Sequence, residues 1–383
     1  MTPRTEVTKL RKTSLIEHFA NIEDPRQHQV DHLLIDVLTI AICGVICGAD
    51  NWVEIEQFGQ AKKKWFGQFL RLLNGIPSHD TFGRVFAAIE PGQFQQSFIN
   101  WIQAVTDLTA GEVVPIDGKQ LRGSYDKANG KAAIYMVSAW ASQNNLVLGQ
   151  VKVDDKSNEI TAMPQLLQLL ELTGCIVTTD AMGCQAKIAE LIIERGADYV
   201  LALKQNHPGT YDDVHSLFSY ALEQGGVDCD YHQTIDKGHG RLEIRHCWTL
   251  SDPEYLIYLR NRSKWLGLQT LVMVRSERTV DGQTSSEIRY FLSSLAADAH
   301  QHLQVVRSHW HIENKCHWIL DVAFREDLAR IRQGNADQNF SVLRHIALNL
   351  LKQEHSAKCG VKAKRLKAGW DENYLLKLLS LLT

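Results

Sequence analysis

Three acids are set apart by their surroundings. Asp117 follows the apolar run Val113-Val114-Pro115-Ile116, and Asp180 follows Cys175-Ile176-Val177-Thr178-Thr179. Such short apolar runs read as strands, and the ends of strands in an α/β sheet are where ligands and reacting groups gather. A glycine follows each aspartate within three residues, Gly118 and Gly183, which frees the chain to turn and lets a bulky ligand approach. The third acid, Glu313, lies in Ser308-His309-Trp310-His311-Ile312-Glu313-Asn314-Lys315-Cys316-His317-Trp318. On a helix, His309, Trp310, Glu313 and His317 share one face. Clustered carboxylates suit phosphodiester chemistry, in which two divalent cations about 3.5–4 Å apart activate the attacking oxygen, stabilise the leaving oxygen and neutralise the phosphate. Mg²⁺ is the expected cofactor, with Mn²⁺ as its substitute, because a few carboxylates and retained waters satisfy it. Without the cations the three carboxylates repel, and at least one holds its proton more tightly. The same residues have plainer readings. An aspartate after a strand can cap the next helix or be solvated. The histidine face can be a hydrogen-bonded structural cluster, or a zinc site of His309, Glu313 and His317.

These residues need elements to position them. The first hundred residues read as helical. Ser14 and Glu17 form a capping box, Leu33 to Ala49 is a buried core helix, and another helical stretch runs from about Asn51 to Leu73. Asn74-Gly75-Ile76-Pro77-Ser78 breaks it, and Ser78 caps a helix bearing Phe82, Val85, Phe86 and Ile89. Helix, turn, helix is compatible with a DNA-reading motif and equally with plain packing. From Val113 the pattern becomes β-β-β-α-β-α-β, with strands at 113–116, 133–140, 146–153, 175–179 and 199–203 and helices at 158–172 and 187–195, which calls for a mixed sheet flanked by helices. Residues 206–290 read as a β-rich insertion with strands at 242–250, 268–275 and 288–292. A long helix follows, from about Asp298 to beyond Asp321.

The chain has 383 residues, too many for one typical domain. The expected division is a helical N-terminal domain (1–108), a first part of the sheet domain (109–205), the β-rich insertion (206–292), a helical remainder (293–350) and a basic tail (351–383). Hydrophobic residues are 44% and charged residues 22%, which excludes a disordered chain. Leu33–Ala49 carries Asp36 and falls short of the ~20 residues a bilayer needs, so no membrane association is expected. No N-terminal stretch has the charged, apolar, small-residue order of a signal peptide, and the eight cysteines form no C-x-x-C pair, so a reducing cytoplasm is expected. The net charge of −3 is mildly unusual for a nucleic-acid protein, but Lys352 to Lys377 holds seven basic residues against three acidic ones.

Several segments together resemble the H-repeat-associated, ISAs-type insertion-sequence transposases of the DDE superfamily, over nearly the whole chain. They include Phe19–Arg26, Val30-Asp31-His32 and Gly75-Ile76-Pro77-Ser78-His79-Asp80-Thr81-Phe82. In the middle come Ile116-Asp117-Gly118-Lys119, Lys156-Ser157-Asn158-Glu159-Ile160 and Thr179-Asp180-Ala181-Met182-Gly183-Cys184. Further on are Tyr199–Asn206, His239-Gly240-Arg241 with Glu243 and Arg245, Tyr290-Phe291-Leu292, and His309–Asn314 running into Leu320-Asp321-Val322-Ala323-Phe324.

The resemblance implies a ribonuclease-H-like catalytic domain interrupted by a β-rich insertion and preceded by an all-helical domain, a candidate for binding DNA ends. It implies Mg²⁺-dependent strand cleavage and strand transfer by Asp117, Asp180 and Glu313, which bind the metal. The partners would be element ends and target DNA, held by a homo-oligomer in the cytoplasm at the nucleoid. Relatives with a β insertion carry a Tyr, Arg, Glu and Lys signature around the third acid. Here Val306, His309 and Leu320 occupy the Tyr, Arg and Lys positions, so Arg307 and Lys315 are the candidate replacements, and Glu326 and Asp327 are alternative third acids. Lys119, Lys204 and Arg241 complete the candidate phosphate contacts, against a reading as ordinary surface charge. The rival functions are a DNA-binding descendant without chemistry, a nuclease that cuts without joining, and the zinc enzyme.

Overall fold

The computed structural model describes residues 14–381, apart from 28–29, 107, 128–129, 155–156, 225–227 and 239. Lys156, His239 and the basic stretch Met1–Lys12 lie outside the described residues.

Apolar residues at helical spacing build the N-terminal region from α1 (Ser14–Phe19), α2 (Leu34–Ile46), α3 (Trp52–Ala61), α4 (Lys63–Phe66), α5 (His79–Ala88) and α6 (Pro91–Val105). As expected, α2 is a core helix, with Val37, Ile40, Ala41 and Ile46 fully buried, and no helix among the described residues is long and apolar enough to cross a membrane. The helical stretch expected to reach Leu73 stops at Phe66. Its last turn tightens into the i→i+3 bonds Gln68 to Trp65 and Phe69 to Phe66, and the left-handed backbone of Leu72 and Gly75 (φ 45° and 80°) keeps a right-handed helix from resuming. Ser78 caps α5 as expected, its side chain accepting from the Thr81 amide at 3.3 Å.

The sheet follows, with β1 (Val113–Gln120), β2 (Tyr135–Ala141), β3 (Leu146–Lys152), α7 (Glu159–Leu169), β4 (Ile176–Thr179), α8 (Ala186–Glu194) and β5 (Asp198–Leu203). This is the expected β-β-β-α-β-α-β order. The region expected as a three-stranded insertion holds more: α9 (Pro208–Gln224), β6 (Asp230–Gly238), β7 (Arg241–Leu250), α10 (Pro253–Leu256), β8 (Thr270–Val280) and β9 (Gln283–Ser293). Its strands do not form a layer of their own. β9 pairs antiparallel with β5, giving one nine-stranded sheet in the order β3-β2-β1-β4-β5-β9-β8-β7-β6.

The expected long helix is three pieces: α11 (Ala299–His309), a π-helical segment (Ile312–His317) and α12 (Trp318–Phe324). α13 (Ala336–Gln353), α14 (Val361–Trp370) and α15 (Glu372–Leu379) close the chain. α13 is buried almost throughout and ties the N-terminal helices to the sheet. Asn339 donates to the Phe86 and Ile89 carbonyls, and Asn349 exchanges two hydrogen bonds with Val147 of β3. Two cations of the basic tail turn inward. Lys364 donates to the Leu351 carbonyl, and Arg365 pairs with Asp50 at 2.8 Å.

Strand alternation sorts the two faces of the sheet. Val113 of β1, Ile176 of β4 and Val200 of β5 pack with Leu303 and Val306 on the α11 face. Val114, Ile116 and Val177 pack on the opposite face with Met163, Leu166 and Ile188 of α7 and α8.

Candidate active site and metal centre

β1 runs through Asp117 rather than ending before it. The reason is its neighbours. β4 pairs with β1 only as far as Ile116↔Thr179, while β2 continues alongside to Gln120. Beyond Ile116 one edge of β1 is therefore released, and Asp117 stands where β4 ends and Asp180 begins. Asp117 shares the parity of Val113 and so faces α11 and the π segment. Gly118 faces α7. Neither Gly118 nor Gly183 has positive φ, so these glycines serve close approach and not a sharp turn. A Cβ on Gly183 would stand 2.6 Å from the Thr179 Cβ and 2.8 Å from the Met163 sulfur, and one on Gly118 would overlap the Glu159 carboxylate.

Asp180 is fixed by its own turn. Its Oδ1 accepts the Met182 and Gly183 amides at 3.0 and 3.2 Å. Opposite, the π segment presents Glu313 and His317. His317 Nδ1 lies 3.5 Å from Asp117 Oδ2 and 3.9 Å from Glu313 Oε2. A ligating atom from each of Asp117, Glu313 and His317 falls within 4.8 Å of the other two. Donors on opposite sides of a small divalent cation are about 4.2 Å apart, so a small closure would let all three reach one ion. The His317 side chain is only 6% exposed, makes no hydrogen bond among the described residues, and its Nε2 is buried without a partner. A buried imidazole with no hydrogen bond is costly, and its Nδ1 faces two carboxylates.

The electrostatics agree with a site awaiting positive charge. Asp117 is pushed up to about 8, first by burial and then by the Glu313 and Asp180 carboxylates. His317 is pushed down to about 3, by burial and then by Lys119, so its ring is neutral and holds a free lone pair.

His309 does not join this group. Its half-buried ring, depressed to about 4 by desolvation, bonds Thr178 Oγ1 at 2.9 Å on β4, and Trp310 is exposed with Arg289 over its ring. A uniform α-helix would keep His309 in line with Glu313. The π segment, with its i→i+5 bonds, breaks that alignment. The alternative zinc set of His309, Glu313 and His317 is therefore not assembled, and Asp117 stands with Glu313 and His317 in place of His309. Glu326, an alternative third acid, is 1% exposed and held between Lys119 at 2.8 Å and Arg344 at 3.5 Å. These cations depress it to about 2, which makes it a structural anion.

The expected phosphate contacts fall into two groups. Lys119 is 12% exposed, and its ammonium is taken up by Asp321 and Glu326. Arg241 and Arg307 line a groove of about 1090 Å³ between β7–β9 and α11, together with Arg245, Arg278, Arg289 and Trp310. Arg241 pairs with Glu243 at 3.2 Å and Arg307 with Asp236 at 3.1 Å, both remaining near half exposed. Lys204 is exposed just past β5, and Lys315 is half-buried on the π segment. Glu159 at the start of α7 lies in a segment that carries the resemblance but was not read as a site residue; its side chain fills the space left by Gly118.

Residues 108–350 match the transposase DDE domain family, and residues 16–102 match the DDE_Tnp_1-associated family. The protein named "H repeat-associated putative transposase YhhI" of Escherichia coli (strain K12) is 41% identical over 374 residues, 96% of this chain and 97% of its own length. "Putative protein YbfL" of the same organism is 41% identical over 371 residues, with the same coverage. A piggyBac transposase synaptic complex with hairpin DNA aligns with 95% of this chain and 76% of its own at 10% identity and TM-score 0.42, a likeness too low to argue from. The chain belongs to the DDE transposase family, its ribonuclease-H-like mixed sheet carrying a β-rich insertion behind a helical N-terminal region.

Proposed function

We propose that this protein cleaves DNA at the ends of its element and joins the freed ends to target DNA, in a divalent-cation-dependent centre formed by Asp117, Asp180, Glu313 and His317. The observation that carries the reading is the convergence of Asp117, Glu313 and His317 within 4.8 Å, beside an Asp180 whose charge reaches Asp117. Divalent cations at such a centre make water nucleophilic at neutral pH and neutralise charge on the phosphate. Mg²⁺ or Mn²⁺ fits the carboxylates, and the imidazole favours Mn²⁺.

The residues divide the work. Asp117 and Glu313 supply oxygen donors and His317 a nitrogen donor. The two amides on Asp180 Oδ1 orient that carboxylate and leave Oδ2 for the cation side. Water attacks the phosphorus at the element's end, the bond to the 3′ oxygen breaks, and a 3′ hydroxyl is released. That hydroxyl then attacks a target phosphorus, and one phosphodiester replaces another. No serine or tyrosine need form a covalent link to DNA. The arginine-lined groove leading from Trp310 along β7–β9 is the proposed path of the DNA backbone, with Arg241, Arg307, Lys204 and Lys315 as its contacts. Lys119 is left out because its charge is already spent on Asp321 and Glu326.

Supercoiled DNA carrying the gene's own flanks, with Mg²⁺ or Mn²⁺, tests this. Nicks at the flanks followed by joined products, both abolished by Asp180→Asn, are expected. Nicks without joining would make the protein a nuclease. Specific flank binding with no cleavage would make it a DNA-binding descendant.

A further inference from the structure

A second groove, of about 1230 Å³, opens between the N-terminal helices and the segment that joins α12 to α13. Trp52 of α3 and Arg84 of α5 line it from the N-terminal region, and Arg325, Arg330 and Arg332 line it from the joining segment. That segment is tied down along its length. Glu326 is clamped by Lys119 and Arg344. Lys131 Nζ donates to the Arg332 carbonyl at 2.8 Å, and Arg332 Nε donates to the Gly123 carbonyl at 3.1 Å. The Asn335 amide donates to the Ala87 carbonyl at 3.1 Å. Gly334 packs against the same carbonyl so closely that a Cβ would stand 2.6 Å from its oxygen.

The cations on this fixed frame are free. Arg325, Arg330 and, from α5, Arg84 are exposed, and their side chains make no hydrogen bond or ion pair among the described residues. The groove beside Trp310 is different. There Arg241, Arg245, Arg278, Arg289 and Arg307 each have a carboxylate oxygen at 4.0 Å or less. A guanidinium already facing a carboxylate must share or surrender it to take a phosphate, whereas a free one gives up only water. Four acids also line the second groove. Asp50 is held by Arg365 at 2.8 Å, and Glu54 accepts the Asp50 amide at 2.6 Å. Asp80 lies 3.6 Å from the His79 ring, and Asp126 is not free either. None of them is paired with Arg84, Arg325 or Arg330.

This groove adjoins the metal centre from another side. α12, seven residues and so about 10 Å long, separates the π segment from Arg325. Lys119, two residues after Asp117 on β1, bonds both Asp321 of α12 and Glu326 of the joining segment. Joining requires two DNA segments at one centre, and phosphate contacts carry no sequence information, which suits a duplex taken at any sequence. We propose that this second groove holds the backbone of the target duplex through Arg84, Arg325 and Arg330, while the groove beside Trp310 holds the element end. The inference rests on the cut-and-join reading given above.

The test is fluorescence anisotropy of the full chain in chelator, so that nothing is cut. A labelled duplex of unrelated sequence is added to protein saturated with unlabelled flank duplex. Wild type is expected to bind it. The triple variant Arg84→Ala, Arg325→Ala, Arg330→Ala should bind it about 10-fold or more weakly and lower the slope of log affinity against log salt by about 3, with flank affinity unchanged. Its melting temperature should match wild type, since all three side chains are exposed and unpaired. Arg330→Glu alone should weaken the same binding, and it decides the matter if the triple variant melts early. Wild type that takes up no second duplex would overturn the proposal. So would variants that bind it unchanged, or an equal loss for both duplexes. Nicking of the flanks in Mn²⁺ tests the cut-and-join reading by itself. Nicking without uptake of the second duplex would sink this inference alone, and uptake without nicking would remove the chemistry and leave the groove.

Discussion

A neutral imidazole beside two carboxylates changes which cation they prefer. Mg²⁺ favours oxygen and holds its waters, while Mn²⁺ accepts imidazole nitrogen more readily. His317→Ala is therefore expected to weaken Mn²⁺ binding by about 10-fold or more and Mg²⁺ binding by less, as calorimetric titration would show. An equal loss for both ions would remove His317 from the ligand set. Asp117 sets the pH dependence. With its folded pKa raised to about 8, it holds a proton that a cation must displace, so Mn²⁺ affinity should climb with pH and level off above about 8. Without metal the same proton is bound by the folded chain and not by the unfolded one between the ordinary aspartate range and about 8. The stability contributed by Asp117 is thus present at low pH and lost as pH rises through that window. Melting in chelator across that range should show the decline in wild type and less of it in Asp117→Asn. Parallel curves would contradict the assignment.

At the scale of elements, the piece that carries Glu313 is held by a buried charge network. Lys119 of β1 bonds Asp321 of α12 and Glu326 beyond it, and Arg344 of α13 closes on Glu326 from behind. Glu326→Ala would strand the buried Arg344 and leave Lys119 to Asp321, and should cost about 3–5 kcal/mol in denaturant unfolding, whereas a solvated surface acid would cost almost nothing. The same elements mark what the sequence could and could not reveal. Short apolar runs ending at acids were enough to locate β1, β4, Asp117 and Asp180. α9 was missed although Val214, Leu217, Phe218 and Ala221 are buried at helical spacing, because Thr210, Asp212, Asp213 and Ser216 dilute the pattern. β6 was missed because most of it is exposed or half-exposed and its place comes from pairing with β7 rather than from apolar alternation. The π segment was invisible because residue types at positions 312–317 do not encode an i→i+5 ladder. The error that followed was to align His309 with Glu313.

For the whole molecule, function requires that a long polyanion pass the centre. The groove beside Trp310 is lined by Arg241, Arg245, Arg278, Arg289 and Arg307 against Glu243, Glu277 and Glu287, a local positive surplus in a chain whose net charge is −3. Arg241→Ala and Arg307→Ala should each weaken DNA binding and lower the slope of log affinity against log salt by about 1. Unchanged slopes would move the DNA path elsewhere. The reading also requires the third acid to come from the π segment and not from the buried Glu326. The single-turnover rate of Mn²⁺-dependent nicking by Glu313→Gln, beside wild type, decides this most directly. A fall of about 10²–10³-fold or more, in a protein that melts like wild type, is the predicted result. A rate equal to wild type would contradict the centre described above.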